Sequence, residues 1–469
     1  MATYPTKKSA SLRPNCLSFA DVLSQSVSLA APSIGIALNI PLVFASAGNG
    51  AWLAFTLATI GLVLVSLNIN QFARRSASAG ALYLYVAKGL GSTVGIVCGW
   101  ALTLAYLLVA AAVSVGFAEY AGIVLTEFGL QVPSLLLCVL CVGFAWYYAY
   151  TDIQLAAMLM IIIEVVAMSF ILLLAFLILG HHGFRPDVEQ LTLAGTTPGG
   201  ISLGMVIAIF SFVGFESAAT LGDEAKSPTR SIPRSLVWSA LLIGLFFMLL
   251  SYSEVLGFRS NETPLNEAAS PINVLADLVR ADLLGVGLTV GIAFSCFSCC
   301  LASINAASRI AYALARHSFF PTPLGVAHTR NRTPHIAVSI SALLAFLIPG
   351  SMLLFGMAPT EIYGYLGTIS TYGFLTAYLL VSIAAPVYLS QRGELRSHHL
   401  IISILAGFFM LIPVAGSFYP VPSFPFNIFP YFFLLYLAAG GWLFSTLSHR
   451  AQIIKNIERD DVAEGQLSD

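Results

Sequence analysis

Long apolar stretches separated by short polar connectors recur along nearly the whole chain. A bilayer crossing takes about 20 mostly apolar residues, and twelve stretches of this kind are present. They fall at about residues 18–46, 50–72, 92–125, 133–151, 153–180, 200–222, 233–257, 283–315, 335–356, 361–390, 399–419 and 425–448. The pattern predicts an all-α polytopic membrane protein with twelve transmembrane helices, of which the first, third and eighth are long enough to be tilted or broken.

Composition indicates that lipid covers most of this chain. Of 469 residues, 58% are hydrophobic and only 9% are charged, whereas a soluble protein carries roughly 25% charged residues. The lipid bilayer is therefore the expected surrounding. The formal net charge of −1 argues against nucleic acid as a partner. The oligomeric state stays unknown at this level.

The seven cysteines predict neither a disulfide framework nor a metal site. Cys138 and Cys141 have the spacing of a redox or metal pair, but both flanks are apolar and no histidine accompanies them. Cys296, Cys299 and Cys300 also lie in an apolar run, where small hydrophobic packing is the simplest interpretation. We therefore expect no metal and no resident cofactor.

Lysine and arginine lie mostly on one side of the predicted spans. With the N-terminus inside, all but three of the 21 fall in inward connectors and tails. Only Arg185, Arg259 and Arg280 fall outside. Because positive charge favours the cytoplasmic side, we predict a multi-pass protein of the plasma (inner) membrane with both termini in the cytoplasm.

Two predicted spans carry helix-breaking residues at mid-membrane. The first contains AAPSIGIALNIP at 30–41, and the sixth contains FSFVGFES at 210–217. Proline removes a backbone donor and glycine lowers helix propensity, so we predict that both helices are discontinuous. Since an unpaired peptide group in hydrocarbon is costly, each break must face protein or a watery cavity.

The freed backbone groups of two broken helices are suited to a small zwitterion. The N-terminus of a half-helix favours a carboxylate, and free carbonyls favour an ammonium group or a cation. The breaks lie five spans apart, so a five-helix duplication would be inverted, as in transporters that bind substrate at the repeat interface. Ordinary kinks are the alternative, because proline and glycine are common in membrane helices.

Three stretches resemble motifs of the amino acid–polyamine–organocation permeases. They are FVGFES to IPR at 212–234, SAGALYLY at 78–85, and ASINAASR at 302–309 with ARH at 315–317. The resemblance implies a leucine-transporter-type fold with a 5+5 inverted repeat, discontinuous helices 1 and 6 and two extra helices. It also implies secondary transport of amino acids or related amines.

On this resemblance, the chain divides into four parts. A cytoplasmic tail at 1–17 precedes a transport core at 18–390, with inverted repeats at about 18–180 and 200–390. Two additional helices at 391–448 and an acidic cytoplasmic tail at 449–469 follow. The tail is predicted to be disordered from Arg459 onward.

The resemblance further implies a set of substrate-binding residues. The backbone at 33–35 would receive the carboxylate of the substrate. The carbonyls near Phe212, Val213 and Phe215 would receive its amino group, and Phe210 would form an aromatic gate. Many members carry a Gly-Ser-Gly or Gly-Thr-Gly triplet where this chain has 32–35, PSIG. The full implied set is Pro32, Ser33, Ile34, Gly35, Phe210, Phe212, Val213, Gly214, Phe215 and Ser217.

Two carboxylates lie within predicted spans. Glu164 is eleven residues into span five counted from Ile153, which is roughly 16 Å at 1.5 Å per residue and near the midplane. Glu216 lies in span six. Because burial disfavours the charged form of a carboxyl group, we hypothesise that one of them couples a proton to substrate movement. The structural alternatives are that Glu216 caps the broken helix and that Glu164 bonds a neighbouring span.

Sodium coupling, other substrates and other protein classes are alternatives. Sodium coupling would use carbonyls of span one and the span-eight hydroxyls of Ser295, Ser298 and Ser303. A polyamine or organocation carrier of the same fold is a further alternative. A major-facilitator transporter, a membrane-embedded enzyme and a channel are each less favoured, because the motifs they need are missing. Tyr106, Phe210 and Phe215, with small neighbours, indicate a mostly apolar pocket, which favours a neutral amino acid.

Three further expectations concern polar residues near the span ends. The charged connector at 223–234 is interpreted as a solvated cytoplasmic loop that sets topology, and the alternative is that its charges anchor the end of span six. Tyr83 and Tyr85 are predicted to lie at headgroup level on a short interfacial helix. Glu119 and Glu254 fall near outer span ends, where acids reach water easily.

Overall fold

The computed structural model describes residues 11–465 except 77, 269, 420, 448 and 449. Within these residues the chain is helical, and β-structure is confined to one isolated parallel bridge between Leu17 and Ala225. The all-α prediction is confirmed. The ends of the two predicted tails, residues 1–10 and 466–469, lie outside the described residues.

Helices follow one another along the described chain, joined by short connections. They are α1 Phe19–Ala30, α2 Pro32–Ala47, α3 Ala51–Ala73, α4 Ala81–Leu90, α5 Ser92–Glu127, α6 Ser134–Thr151, α7 Ile153–His181, α8 Val188–Leu191, α9 Pro198–Phe210, α10 Pro228–Gly257, α11 Pro271–Leu278, α12 Asp282–Arg316, α13 His335–Leu354, α14 Pro359–Gln391, α15 Ser397–Gly416, α16 Phe429–Thr446 and α17 Arg450–Gly465. Short 3₁₀ segments lie at Gly48–Gly50, Phe215–Leu221, Phe258–Ser260 and Thr322–Gly325.

Eleven segments of the described chain are long and apolar enough to cross a membrane. The first, Phe19–Ala73, spans 55 residues and comprises α1, α2 and α3. A single crossing needs about 20 residues, so this segment has the length for two. The count of twelve crossings and the inverted repeat stay predictions. Below, the side predicted to be cytoplasmic is called the inner side.

The first predicted break lies at Ala31, between α1 and α2. Ser18 begins α1 with a capping box, in which its backbone N–H donates to the carboxylate of Asp21 at 2.7 Å. Ala31 has φ 44° and ψ 62°, in the left-handed region, and this ends the helix. Pro32 then begins α2, because a helix's first turn needs no N–H from that residue.

The second predicted break lies between α9 and the 3₁₀ segment Phe215–Leu221. Gly214 has φ +93°, which favours glycine. A Cβ added there would overlap the side chain of Leu29 in α1, so glycine is required for space as well as for conformation. Both helices are therefore discontinuous as predicted, and the two breaks touch each other.

The broken helices lie against a framework of long helices. α12 and α14 both pack along α5, and α10 packs along α3. α1 contacts the 3₁₀ segment Phe215–Leu221 on the inner side, whereas α2 contacts α9 on the outer side. Large apolar side chains stay exposed on the periphery, as at Leu245, Phe408 and Trp442. Such continuous apolar exposure is suited to lipid.

The structure narrows one expectation about helices and corrects another. The third and eighth predicted spans, expected to be tilted or broken, are the continuous helices α5 and α12 of 36 and 35 residues, which excludes a break. Tyr83 and Tyr85 of α4 are fully buried instead of lying at headgroup level. The reason is that α4 packs between α5 and α14. The hydroxyl of Tyr85 donates to the Ser76 carbonyl at 3.1 Å.

The C-terminal tail is helical where disorder was predicted. α17 continues to Gly465, past the expected start of disorder at Arg459. Ile453 and Ile457, four residues apart on one helix face, are buried, and α17 contacts α4 and α5. This apolar anchor stabilises the helix against the protein. The division of the chain into core, added helices and tails stays a prediction.

Candidate functional site

A small cavity lies where the two breaks meet. Its volume is about 30 Å³, which is room for about two waters at roughly 10–15 Å³ each. Residues of α1, α2, α5, α9, α12 and α14 line it. A larger depression of about 860 Å³ lies at the outer end of α5, but it is open and contains neither break. The small cavity is therefore the candidate site.

Four residues of the predicted binding set line this cavity, namely Ile34, Gly35, Phe210 and Val213. The other six, Pro32, Ser33, Phe212, Gly214, Phe215 and Ser217, are buried nearby without lining it. The ring of Phe212 packs against Phe247 at a centroid distance of 5.5 Å. These residues shape the break and its surroundings instead of facing the cavity.

The backbone at the two breaks presents groups of opposite polarity. The N-terminus of α2 faces the cavity at Ile34 and Gly35, whose N–H groups donate to the Ala31 carbonyl at 3.0 and 3.4 Å. The Phe210 carbonyl accepts the N–H of Val213 at 3.3 Å, whereas the Ile209 carbonyl accepts both Phe212 and Ser211. Since a carbonyl can accept two bonds, the Phe210 oxygen keeps capacity for a cation or an ammonium group.

The inner half of span one is tied along the inner half of span six. The hydroxyl of Ser217 donates to the Gln25 carbonyl at 3.1 Å, and the Ala218 N–H donates to Ser26 Oγ at 3.0 Å. Further inward, the N–H of Lys226 donates to the Leu17 carbonyl at 2.7 Å. These bonds close the inner side beneath the cavity.

Glu224 belongs to a buried ion pair, so its assignment to a solvated loop is wrong. Arg309 of α12 contacts its carboxylate through Nε at 2.6 Å and Nη2 at 3.0 Å, and both side chains are fully buried. The Glu224 carbonyl also accepts the N–H groups of Cys16 and Leu17 at 2.9 and 3.0 Å. Arg309 inside an apolar run was the available signal, because a buried charge needs a partner.

Glu216 is held behind the cavity and does not line it. Tyr106 of α5 donates its hydroxyl to Glu216 Oε1 at 2.6 Å, and Tyr378 of α14 donates to Oε2. The N–H of Gly214 donates to the Tyr378 hydroxyl at 3.2 Å. Both carboxyl oxygens are thus occupied, and the group connects the second break to two framework helices. Sequence reasoning named the acid but not its tyrosine partners.

Glu164 has one occupied and one unoccupied oxygen. Ser295 of α12 donates to Oε1 at 2.9 Å, while Oε2 is buried with no hydrogen-bond partner in the described part of the chain. Ser28 and Ser298 also have buried hydroxyls with no partner within hydrogen-bond distance among the described residues, and Ser298 lies beside the Glu164 carboxyl group. Glu164 does not line the central cavity but faces an apolar crevice of about 460 Å³ between α1, α7 and α10.

Glu254 is buried, which corrects the expectation that it reaches water. Its residue exposure is 3%, and neither carboxyl oxygen has a hydrogen-bond partner among residues 11–465 as described. α10 is covered at this end by α7 and α11. The position of Glu254 near a span end therefore did not predict its exposure, because the neighbouring helices cover that end of α10.

Comparison with known proteins agrees with these features. Residues 16–441 match the family model described as amino acid permease. The branched-chain amino acid permease BcaP of Bacillus subtilis is 20% identical over 376 residues, which are 75% of this chain and 76% of that protein. The low-affinity putrescine importer PlaP of Escherichia coli is 26% identical over 308 residues, covering 63% and 66%. The methylthioribose transporter of Bacillus subtilis is 23% identical over 388 residues, covering 79% of each.

Among solved structures, a mutant of the Eremococcus coleocola manganese transporter shares this fold. The TM-score is 0.56 at 14% identity, over 94% of each chain. The family match extends over most of the sequence, including both breaks and the framework helices around them. The chain therefore belongs to the amino acid permease family, within the amino acid–polyamine–organocation superfamily.

Proposed function

We propose that this protein is a secondary active transporter that carries a neutral amino acid across the plasma membrane by alternating access. The observation that carries the proposal is the cavity between two broken helices, with an α-helix N-terminus at Gly35 and carbonyls of tight turns at Phe210. A half-helix N-terminus attracts a carboxylate, and carbonyls attract an ammonium group. An α-amino acid carries both.

The residues that line the cavity favour an amino acid whose side chain carries no charge of its own. Among the described residues that line the cavity, none has a charged side chain. The second ammonium group of a polyamine would be buried there without a counter-charge, which is unfavourable. A carrier of polyamines is therefore the weaker proposal, although a putrescine importer is among the relatives.

Proton coupling through Glu164 is the favoured mechanism. Its Oε2 atom is buried without a partner, so protonation changes the local free energy more than at Glu216, whose two oxygens already accept tyrosine hydroxyls. Sodium is the second candidate. The unpartnered hydroxyls of Ser28 and Ser298 are oxygen ligands of the type that a hard cation prefers.

Uptake into proteoliposomes tests the proposal. We expect saturable accumulation of neutral amino acids that is faster with an inward proton gradient. Glu164→Gln is expected to lose this gradient dependence while substrate exchange persists. Glu119→Gln is the matched control and should keep the gradient dependence, because Glu119 lines a separate cavity of about 100 Å³.

Each alternative has a distinct outcome in the same assay. Acceleration by a sodium gradient but not by a proton gradient supports the sodium mechanism. Flux that does not saturate supports a channel. Absence of uptake for every amino acid tested, with the protein folded, contradicts the proposed function.

A further inference from the structure

Two polar side chains face the central cavity from the two outer half-helices. Asn39 of α2 and Ser211, directly after α9, both line it and are 4% and 3% exposed. Asn39 Nδ2 donates to Ser211 Oγ at 2.9 Å. The pair thus joins the outer halves of spans one and six at the cavity wall.

The other polar side chains at the cavity are less available. The thiol of Cys299 donates to the Leu29 carbonyl at 3.0 Å. Tyr363 lies at the outer edge, where it also lines a second cavity of about 100 Å³. Asn39 and Ser211 are therefore the polar side chains best placed to contact a bound substrate.

The Asn39–Ser211 pair keeps unused hydrogen-bonding capacity. A carboxamide has two N–H donors, and a hydroxyl group has one donor and two acceptor positions. Their shared bond uses one donor of Asn39 and one acceptor position of Ser211. The second amide proton and the hydroxyl proton have no other acceptor among the described residues. A third polar group can therefore join the pair without breaking it.

The pair lies beside the proposed carboxylate position, because Asn39 Nδ2 is 3.6 Å from where a Cβ of Gly35 would lie. Gly35 and Asn39 are four residues apart, which places them on one face of α2 about 6 Å apart along its axis. Helical side chains lean toward the N-terminus, so the Asn39 amide leans back toward Gly35. The end of a short substrate side chain would reach it.

The rest of the wall offers only apolar contacts. Val109 and Val113 of α5, together with Ile34 and Val213, line the cavity beside the polar pair. An apolar wall with one polar pair at a fixed distance matches a short side chain with one hydrogen-bonding group.

We infer that Asn39 and Ser211 select a small neutral amino acid whose side chain ends in a hydroxyl or carboxamide group, such as threonine, serine or asparagine. The inference rests on the proposed function. An apolar side chain of equal size would fill the same volume but leave the donors of the pair buried and unpaired, which weakens binding.

Threonine and valine test the inference, since they have nearly the same shape and differ in one hydroxyl group. The wild-type protein is expected to transport threonine with a kcat/KM about tenfold higher than valine. In the double variant Asn39→Leu/Ser211→Ala this ratio should fall to one or below. The rise in KM for threonine should exceed any change for valine. Ser211→Ala alone changes little volume and should lower the ratio about threefold.

A cavity variant that leaves the pair intact is the control. Cys299→Ala should keep the threonine preference, because it alters the wall but not the pair. Equal efficiency for threonine and valine in the wild type, or an unchanged ratio in folded Ser211→Ala, overturns the inference and leaves the proposed function standing. Failure of every amino acid to accumulate overturns the proposed function instead.

Discussion

Gly214 combines two constraints that exclude any side chain. Its φ of +93° is strained for other residues, and its missing Cβ leaves room for Leu29 at the opposite break. A left-handed conformation costs a non-glycine residue of order 1–3 kcal/mol, before any overlap is counted. One glycine therefore sets how closely spans one and six approach at the cavity.

Gly214→Ala is expected to lower the thermal stability of the purified protein and to abolish amino acid uptake. The physical reason is the strain at φ +93° together with the overlap with Leu29. Thermal unfolding in detergent and proteoliposome uptake measure the two effects. Gly407→Ala is the control, because a Cβ there meets nothing within 4 Å. A Gly214→Ala protein as stable and active as the wild type would show that the break tolerates a side chain.

Glu254→Met is expected to raise the stability of the protein. The wild-type carboxyl group is buried with neither oxygen paired in the described chain, and an unsatisfied buried polar group costs about 1–3 kcal/mol. Thermal unfolding measures the gain, with the exposed Glu262→Met as a control that should change little. Lower stability of Glu254→Met would mean that this carboxyl group makes a favourable contact.

At the scale of elements, the connector between the 3₁₀ segment Phe215–Leu221 and α10 is held by one buried ion pair and several main-chain bonds. Glu224 and Arg309 are both fully buried, and the isolated bridge between Leu17 and Ala225 lies beside them. In the proposed alternating-access cycle, inward opening would separate α1 from this connector and break the main-chain bonds at Leu17. The ion pair would then keep the connector attached to α12.

Arg309→Met is expected to destabilise the protein strongly, since it leaves the Glu224 carboxylate buried without its partner. Removing one member of a buried pair costs about 3–5 kcal/mol. The double variant Arg309→Met/Glu224→Met should recover most of this loss. Arg13→Met is the control, because its ion pair with Asp152 is largely exposed. A double-mutant cycle without coupling would contradict the importance of the pair.

The loop between α7 and α9, which contains Asp187, is expected to become less stable at low pH. Burial acts to raise the pKa of Asp187, but hydrogen bonds from Gln190 and Arg259 outweigh it and lower that pKa below its ordinary 3.8. Arg259 Nε lies 2.9 Å from the Asp187 carboxylate. A lowered pKa in the folded state adds stability above pH 3.8, and this stability is lost as the pH falls through the lowered value.

Hydrogen exchange at 187–191, compared between wild type and Asp187→Asn at each pH, measures this effect. The wild type should be better protected above pH 3.8, and the difference should vanish in stronger acid. Equal protection of the two proteins at neutral pH would show that the carboxylate does not hold the loop.

Helix breaks were predictable from the sequence, but helix surroundings were not. Pro32 and Gly214 mark both breaks because their effect is local to the backbone. Tyr83 was predicted at headgroup level but is buried, and disorder was predicted from Arg459 although α17 continues to Gly465. Local pattern shows that a helix forms, whereas its burial depends on which distant helices cover it.

At the scale of the whole molecule, the charge distribution predicts the orientation. All but three lysines and arginines lie on the inner side of the predicted spans, which favours both termini in the cytoplasm. A fluorescent protein that matures only in the cytoplasm, fused after Asp469, should therefore fluoresce. A dark fusion, together with activity of a periplasmic phosphatase reporter at the same position, would contradict the even number of crossings.

Two pairs of side chains that meet in the structure could not be predicted from the sequence. Asn39 and Ser211 are 172 residues apart, and Glu224 and Arg309 are 85 apart. Motifs identified residues around each break, but a single sequence carries no signal for which distant side chains meet. The predicted binding residues lie at the two breaks, and their role in binding stays a prediction.

The cavity of about 30 Å³ has a consequence for measured affinities. A solute larger than two waters can bind only to molecules that have already widened. The apparent dissociation constant then equals the intrinsic constant divided by the widened fraction, so a fraction of about 1% weakens apparent affinity about a hundredfold. Substitutions far from the cavity will shift the Michaelis constant whenever they change that fraction, although every contact with the solute stays the same.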